Sequence, residues 1–201
     1  MLQYILTPSS QYSIAELAQM AVEGGCLWIS LCLPDLSDEE IKAAVAPDVI
    51  DMCREAAVFL TLDDRPELAR ELGLHGVRLS RKFLSANPSQ SPMALRDELG
   101  PEAVIGVETA DPTSVPSLLP ADIDFVTLPE GFTSEQRRKF TAKIKELGLA
   151  MPVVAQGDFT PAEAQQAIKD GCNGVAVGRS ITDAQDPVTA TGAILFAISN
   201  L

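Results

Sequence analysis

The stretch from Pro152 to Ser180, PVVAQGDFTPAEAQQAIKDGCNGVAVGRS, contains one whole strand–helix–strand unit. Pro152–Gln156 is a short apolar run without polar alternation, which is how a parallel strand covered on both faces reads. Thr160-Pro-Ala-Glu163 then sets a capping hydroxyl three residues before a glutamate, with proline at the first helical position. Gly171 stops the helix, and Gly174–Val177 is a second apolar run of the same kind. Two strands joined by a helical crossover lie parallel.

The same alternation runs through the rest of the chain. Further buried-strand runs are Gln3–Thr7, Leu27–Cys32, Val58–Leu62, Gly76–Leu79, Val104–Val107 and Phe125–Leu128. Between the first two, Ile14, Leu17, Ala18, Ala21 and Val22 form one apolar stripe of an amphipathic helix. Ser37-Asp-Glu-Glu40 repeats the capping pattern, and Gly24-Gly25, Gly73, Gly100 and Gly148 close helices ahead of the next strand. Pro47 splits the segment Ser37–Ala57 into two helical pieces. Eight units in 201 residues give about 25 residues each. That spacing predicts an α/β fold, a closed (β/α)8 barrel of eight parallel strands, as one domain over residues 1–201. A flavodoxin-like open sheet is the structural alternative.

Composition limits the function classes. With 15 Lys+Arg against 28 Asp+Glu the formal charge is −13, which argues against a nucleic-acid partner, since phosphate backbones are gripped by clustered cations. No run reaches the ~18–20 apolar residues of a membrane helix, and the N-terminus lacks the basic flank and apolar core of a secretory signal. A cytoplasmic setting with no membrane partner is therefore expected. Cys26, Cys32, Cys53 and Cys172 contain no Cys-x-x-Cys pair and read as reduced thiols. The composition, 46% hydrophobic and 21% charged, is that of a folded chain, for which surface scaling predicts roughly 9,000 Å² left exposed.

Barrel sites are built at the C-terminal ends of the strands and in the loops that follow. His75, the only histidine, precedes the fourth strand and falls on the opposite face, so histidine catalysis and a multi-histidine metal site are not expected. The mouth collects Ser30 and Cys32 from the second strand, which share one side with Trp28. Asp63 and Asp64 end the third strand, Arg78 and Ser80 the fourth, and Glu108 the fifth; Glu130 follows the sixth and Gln156 ends the seventh. Asp63, Glu108 and Glu130 are the candidate general acids and bases, and Asp63 the candidate metal ligand. Ser30, Cys32, Arg78 and Gln156 are candidate substrate contacts. Gly157-Asp158 and Gly178-Arg179-Ser180 are glycine turns opening helices, a candidate phosphate site to which Arg179 adds a cation. Asp158 argues against that site if its carboxylate points inward.

With these residues placed, the chain resembles the superfamily of thiamine phosphate synthases and thiazole tautomerases. The matching stretches are Ala21–Leu31, Leu68–Leu79, Val104–Val107, Ala121–Val126, Pro152–Ala155 and Gly171–Val177, in the family's order over residues 3 to 199. The resemblance implies a barrel that binds a phosphorylated pyrimidine or thiazole, with magnesium supported through Asp63 alone; no organic cofactor is evident in the sequence. The resemblance also implies what this chain lacks. The synthases' Gln-x-Arg-x-Lys pattern on the second strand reads Ser30, Cys32 and Pro34 here. Their Asn-Asp at the third strand is Leu62-Asp63, and a second metal-binding aspartate after the fourth strand is Phe83. The phosphate loop after strand six is shortened to Leu128-Pro-Glu-Gly-Phe-Thr133, and the tautomerases' histidine there has no counterpart.

Three readings follow. The chain is a diverged thiamine-pathway enzyme binding a phosphorylated small molecule, a non-catalytic binding or regulatory protein on the same scaffold, or an unrelated barrel enzyme using Asp63, Glu108 and Glu130. Assembly as a homodimer stays open.

Overall fold

Eight strands pair in chain order and close on themselves, each parallel to the next. The structure is a computed structural model that describes residues 1–45 and 47–200. The strands are β1 (Leu2–Leu6), β2 (Trp28–Leu31), β3 (Phe59–Asp63), β4 (Gly76–Leu79), β5 (Val104–Glu108), β6 (Phe125–Leu128), β7 (Val153–Gln156) and β8 (Gly174–Val177). Closure comes from β8 against β1, with Leu2, Gln3 and Tyr4 opposite Val175, Ala176 and Val177. This is the (β/α)8 barrel, and the open-sheet alternative falls away. Several strand ends differ by one residue from the sequence reading: β1 starts and ends earlier, and β3 and β5 extend to take in Asp63 and Glu108.

Helices α1 (Ile14–Glu23), α2 (Asp38–Val45), α3 (Asp48–Glu55), α4 (Pro66–Glu71), α5 (Arg81–Ala86) and α6 (Pro92–Leu99) connect the first five strands. Helices α7 (Ser134–Glu146), α8 (Pro161–Lys169), α9 (Arg179–Thr182) and α10 (Pro187–Ser199) complete the outer ring. Reciprocal capping boxes at Ser13/Glu16, Thr133/Gln136 and Thr160/Glu163 satisfy orphan donors at the starts of α1, α7 and α8. Pro47 separates α2 from α3. The connection between β5 and β6 departs from the helical expectation. Pro116 and Pro120 each remove a backbone donor, and Pro112–Ala121 winds as a 3₁₀ segment instead.

Two apolar clusters explain why the strands show no polar alternation. Outward residues such as Tyr4, Leu6, Ile29, Leu31, Leu60, Leu62, Val126 and Val175 pack beneath the helices. Inward residues Ile5, Phe125, Val154 and Ala176, with Trp28, Cys32 and Val104 against them, fill the barrel itself. Inward polar groups Gln3, Ser30, Thr61, Arg78 and Thr127 are also buried. Gly106 is required by this filling: a Cβ there would stand 2.1 Å from Cζ of Phe125, so the ring occupies the space a side chain would take. The total exposed surface is 9504 Å², close to the scaling expectation. Among the described residues, no helix is long and apolar enough to cross a membrane.

Candidate functional site

Period-two geometry turns alternate residues of β2, β3 and β4 toward the barrel axis, and a continuous hydrogen-bond chain results. Trp28 Nε1 donates to Thr61 Oγ1 (3.1 Å), Thr61 Oγ1 donates to Ser30 Oγ (3.0 Å), and Ser30 Oγ donates to Asp63 Oδ1 (2.6 Å). Arg78, across from Asp63 in the β3–β4 register, grips the same carboxylate. Its Nε lies 3.0 and 3.1 Å from the two Asp63 oxygens, and a terminal nitrogen donates to Oδ2. The other terminal nitrogen reaches across the mouth to Gln156 Oε1 at 2.5 Å. The Asp63 and Arg78 side chains are only 9% and 10% exposed, so this is a buried, charge-assisted pair. Burial works against the Arg78 charge, yet the Asp63 carboxylate outweighs it and holds the guanidinium's pKa above its ordinary value.

Asp64 follows in the left-handed region (φ 57°), and that turn aims its carboxylate at the end of β4. It accepts from Ser80 N (2.7 Å) and Ser80 Oγ (2.6 Å). Burial raises its pKa, and the Ser80 bonds oppose the rise. Cys32 is pushed up to about 12 by burial and by the neighbouring Asp63 charge, so its thiol stays protonated and is a wall of the site, not a nucleophile.

The loops after β7 and β8 meet at the mouth. Gly157, Asp158, Gly178 and Arg179 line a recess of about 310 Å³ together with Cys32, Glu130, Gln156, Ile5, Thr7 and Pro8. The expected anion position is filled from within. Asp158 Oδ1 accepts the backbone N–H of Arg179 at 2.7 Å, and its Oδ2 lies 3.4 Å from Arg179 Nε. A side-chain carboxylate thus takes the donor expected for a phosphate oxygen. Ser180, in the same turn, does not line the recess, and its buried hydroxyl has no partner among the described residues. On the far side of Gly157-Asp158, a second recess of about 380 Å³ is walled by Phe132, Arg137, Phe159 and Glu163.

The acidic trio does not come together as free carboxylates. Asp63 is paired with Arg78, Glu108 is bonded to Arg81 Nε at 2.9 Å, and Glu130 alone lines the mouth recess as an exposed side chain. His75 sits at the other end of the barrel, where its Nδ1 accepts from Leu60 N at 3.0 Å and its ring lies 5.1 Å from that of Phe59. Phe83, at the position of the second metal ligand, packs against the core from α5. The donor set does not fit a divalent ion: both Asp63 oxygens are engaged by Arg78. Among the described residues no group of three or more His, Cys, Asp or Glu side chains is arranged to hold a metal.

Two contributors escaped the sequence reading. Thr7, with a buried hydroxyl that has no partner among the described residues, lines the mouth just past the end of β1, a position the end-of-strand rule flags when applied to the first strand. Thr61 is an inward link whose only signal is its place two residues before Asp63.

Comparison with known proteins agrees with this architecture. Residues 3–181 match the family model described as thiamine monophosphate synthase. A thiamine-phosphate synthase of Bacteroides fragilis is 32% identical, covering 96% of this chain and 98% of the relative. Its counterpart in Bacteroides thetaiotaomicron is also 32% identical, covering 96% and 95%. In structure, the thiamine phosphate pyrophosphorylase of Pyrococcus furiosus superposes with a TM-score of 0.83 over 98% of this chain and 95% of that one, at 20% identity, a likeness of fold. By sequence match across nearly its whole length, the chain belongs to the thiamine monophosphate synthase family.

Proposed function

We propose that this family member binds a phosphorylated thiamine-pathway heterocycle, a pyrimidine or thiazole phosphate, at the barrel mouth. We further propose that it does not run the condensation that releases pyrophosphate. The observation that carries this reading is the buried Arg78–Asp63 pair bridged to Gln156. Departure of pyrophosphate calls for a divalent ion and free cationic side chains to take up the leaving charge. Here the acid suited to a metal is neutralised by an internal guanidinium, and that guanidinium is itself committed. Ser30 and Cys32 offer no cation, and Arg179 is turned to Asp158. Loss of one such group costs about 2.7–4 kcal/mol of transition-state stabilisation, and several losses together leave little activity even without additivity.

Binding is supported by the mouth recess of about 310 Å³ and its polar contributors Thr7, Glu130, Gln156 and Arg179. A phosphate must displace Asp158 to reach Arg179 N, so the phosphorylated compound gains only the difference between two anions at one donor. The test is a thermal-shift series with thiazole phosphate, pyrimidine phosphate and their unphosphorylated alcohols, each with and without magnesium. A bound compound at 100 times its Kd stabilises by about 2.7 kcal/mol. The expected result is stabilisation by a phosphorylated heterocycle that magnesium does not change. No shift with any compound at millimolar concentration would contradict the binding reading, and a shift that requires magnesium would contradict the metal-free mouth.

A further inference from the structure

At the opposite end of the barrel from the mouth lies an apolar recess of about 640 Å³. The strand starts build it: Trp28, Phe59, Val104 and Phe125 are inward positions of β2, β3, β5 and β6, and Leu27 and Leu195 close its sides. Trp28 and Phe125 meet nearly edge to face, with centroids 4.9 Å apart and planes at 81°, so the two rings form a corner. Phe59 tilts against the same indole at 6.1 Å. Leu27 is 64% and Phe59 47% exposed, an unfavourable amount of apolar surface to leave in water around a hollow.

The polar groups at the recess are hydrogen-bonded within the chain. Asp124, the one charged side chain in the lining among the described residues, accepts from Ile105 N at 2.8 Å and from Arg96 at 3.1 Å. The Asn173 side-chain oxygen accepts from Val153 N at 2.9 Å, and the Met1 amino group is turned to the Asn173 carbonyl at 3.3 Å. Among the described residues the one cation in the wall is the Met1 ammonium, whose bond to a neutral carbonyl leaves its charge in place; against it stand the Asp124 carboxylate and a chain net charge of −13.

We propose that this floor recess is a binding site for a flat, apolar ring compound that carries no anionic group. Its volume lies within the roughly 300–1,000 Å³ of small-molecule sites, and its lining, apolar walls with few polar groups, is the usual kind. The aromatic corner offers one ring face and one ring edge, which suits a planar guest. A second copy of the chain docking flat on this face would leave the hollow as a void, and protein contacts are close-packed. The site is separate from the mouth and does not depend on the function proposed for it.

The experiment uses the uncharged fluorescent probe N-phenylnaphthylamine and its sulfonated analogue anilinonaphthalene sulfonate, which shares the ring system. Trp28 is the only tryptophan, so excitation of the indole reports a nearby probe by sensitised emission. The expected result is one uncharged probe per chain, with the sulfonate binding at least about tenfold more weakly. Leu27→Glu at the exposed rim and Phe59→Ala in the wall should each weaken binding about tenfold. Circular dichroism checks that both variants keep the fold, and sedimentation should give the same mass with and without probe. Equal affinity for the two probes, or unchanged affinity in both variants, would overturn the proposal. A mass doubling abolished by Leu27→Glu would also overturn it, by giving the face to a second copy.

Discussion

Asp158 decides how the mouth treats an anion. Its carboxylate accepts the Arg179 N–H at 2.7 Å, so an incoming phosphate competes with a tethered carboxylate that needs no diffusion. Removing it by Asp158→Gly should tighten inorganic phosphate and thiazole phosphate by about tenfold, the worth of one charge-assisted hydrogen bond, as read by calorimetry. Unchanged or weaker binding would mean the loops do not hold phosphate there. Arg78 sets the charge of the interior in the same way. Arg78→Met strands the Asp63 carboxylate, 9% exposed, and should cost about 3–5 kcal/mol in denaturant unfolding. Replacing both, Arg78→Met with Asp63→Leu, should recover most of that loss, because the buried charge goes with its partner. A double variant as unstable as the single one would show that the pair does more than neutralise itself.

Among the elements, β5 and β6 depend on one exchange of volume. Gly106 leaves room that the Phe125 ring occupies, and a methyl group there would meet Cζ at 2.1 Å. Gly106→Ala should therefore destabilise by about 1–3 kcal/mol through overpacking, and Phe125→Leu in the same chain should relieve part of the clash, measured as a double-mutant cycle. Independent effects would show that the two residues are not coupled. The β5–β6 connection marks where reading elements from sequence reaches its limit. The strand–helix alternation predicts another helix there, but Pro116 and Pro120 convert it to a 3₁₀ segment. Elsewhere the punctuation was legible: Pro47 separates α2 from α3, and Thr160, Pro161 and Glu163 set the start of α8.

For the whole molecule, barrel closure is what turned a legible set of mouth residues into a chemistry that the sequence could not express. Ser30, Asp63, Arg78 and Gln156 come from the strand ends, and the structure joins them in one hydrogen-bonded network. Their pairing was not legible, because Arg78 and Gln156 are 78 positions apart and meet only when β4 and β7 face each other across a closed ring. The Asp158–Arg179 contact spans 21 positions and joins the loops after the adjacent strands β7 and β8. Strand periodicity fixes which way a side chain points but not which partner its charge finds, and here the charges find each other. The central proposal is that this member of the family keeps the barrel without the pyrophosphate-releasing reaction. The measurement that bears on it most directly is steady-state pyrophosphate release with magnesium, the pyrimidine pyrophosphate and the thiazole phosphate. The expected result is release that is absent or several orders of magnitude below the ordinary enzyme median of about 10 per second, whereas turnover near that median would contradict it.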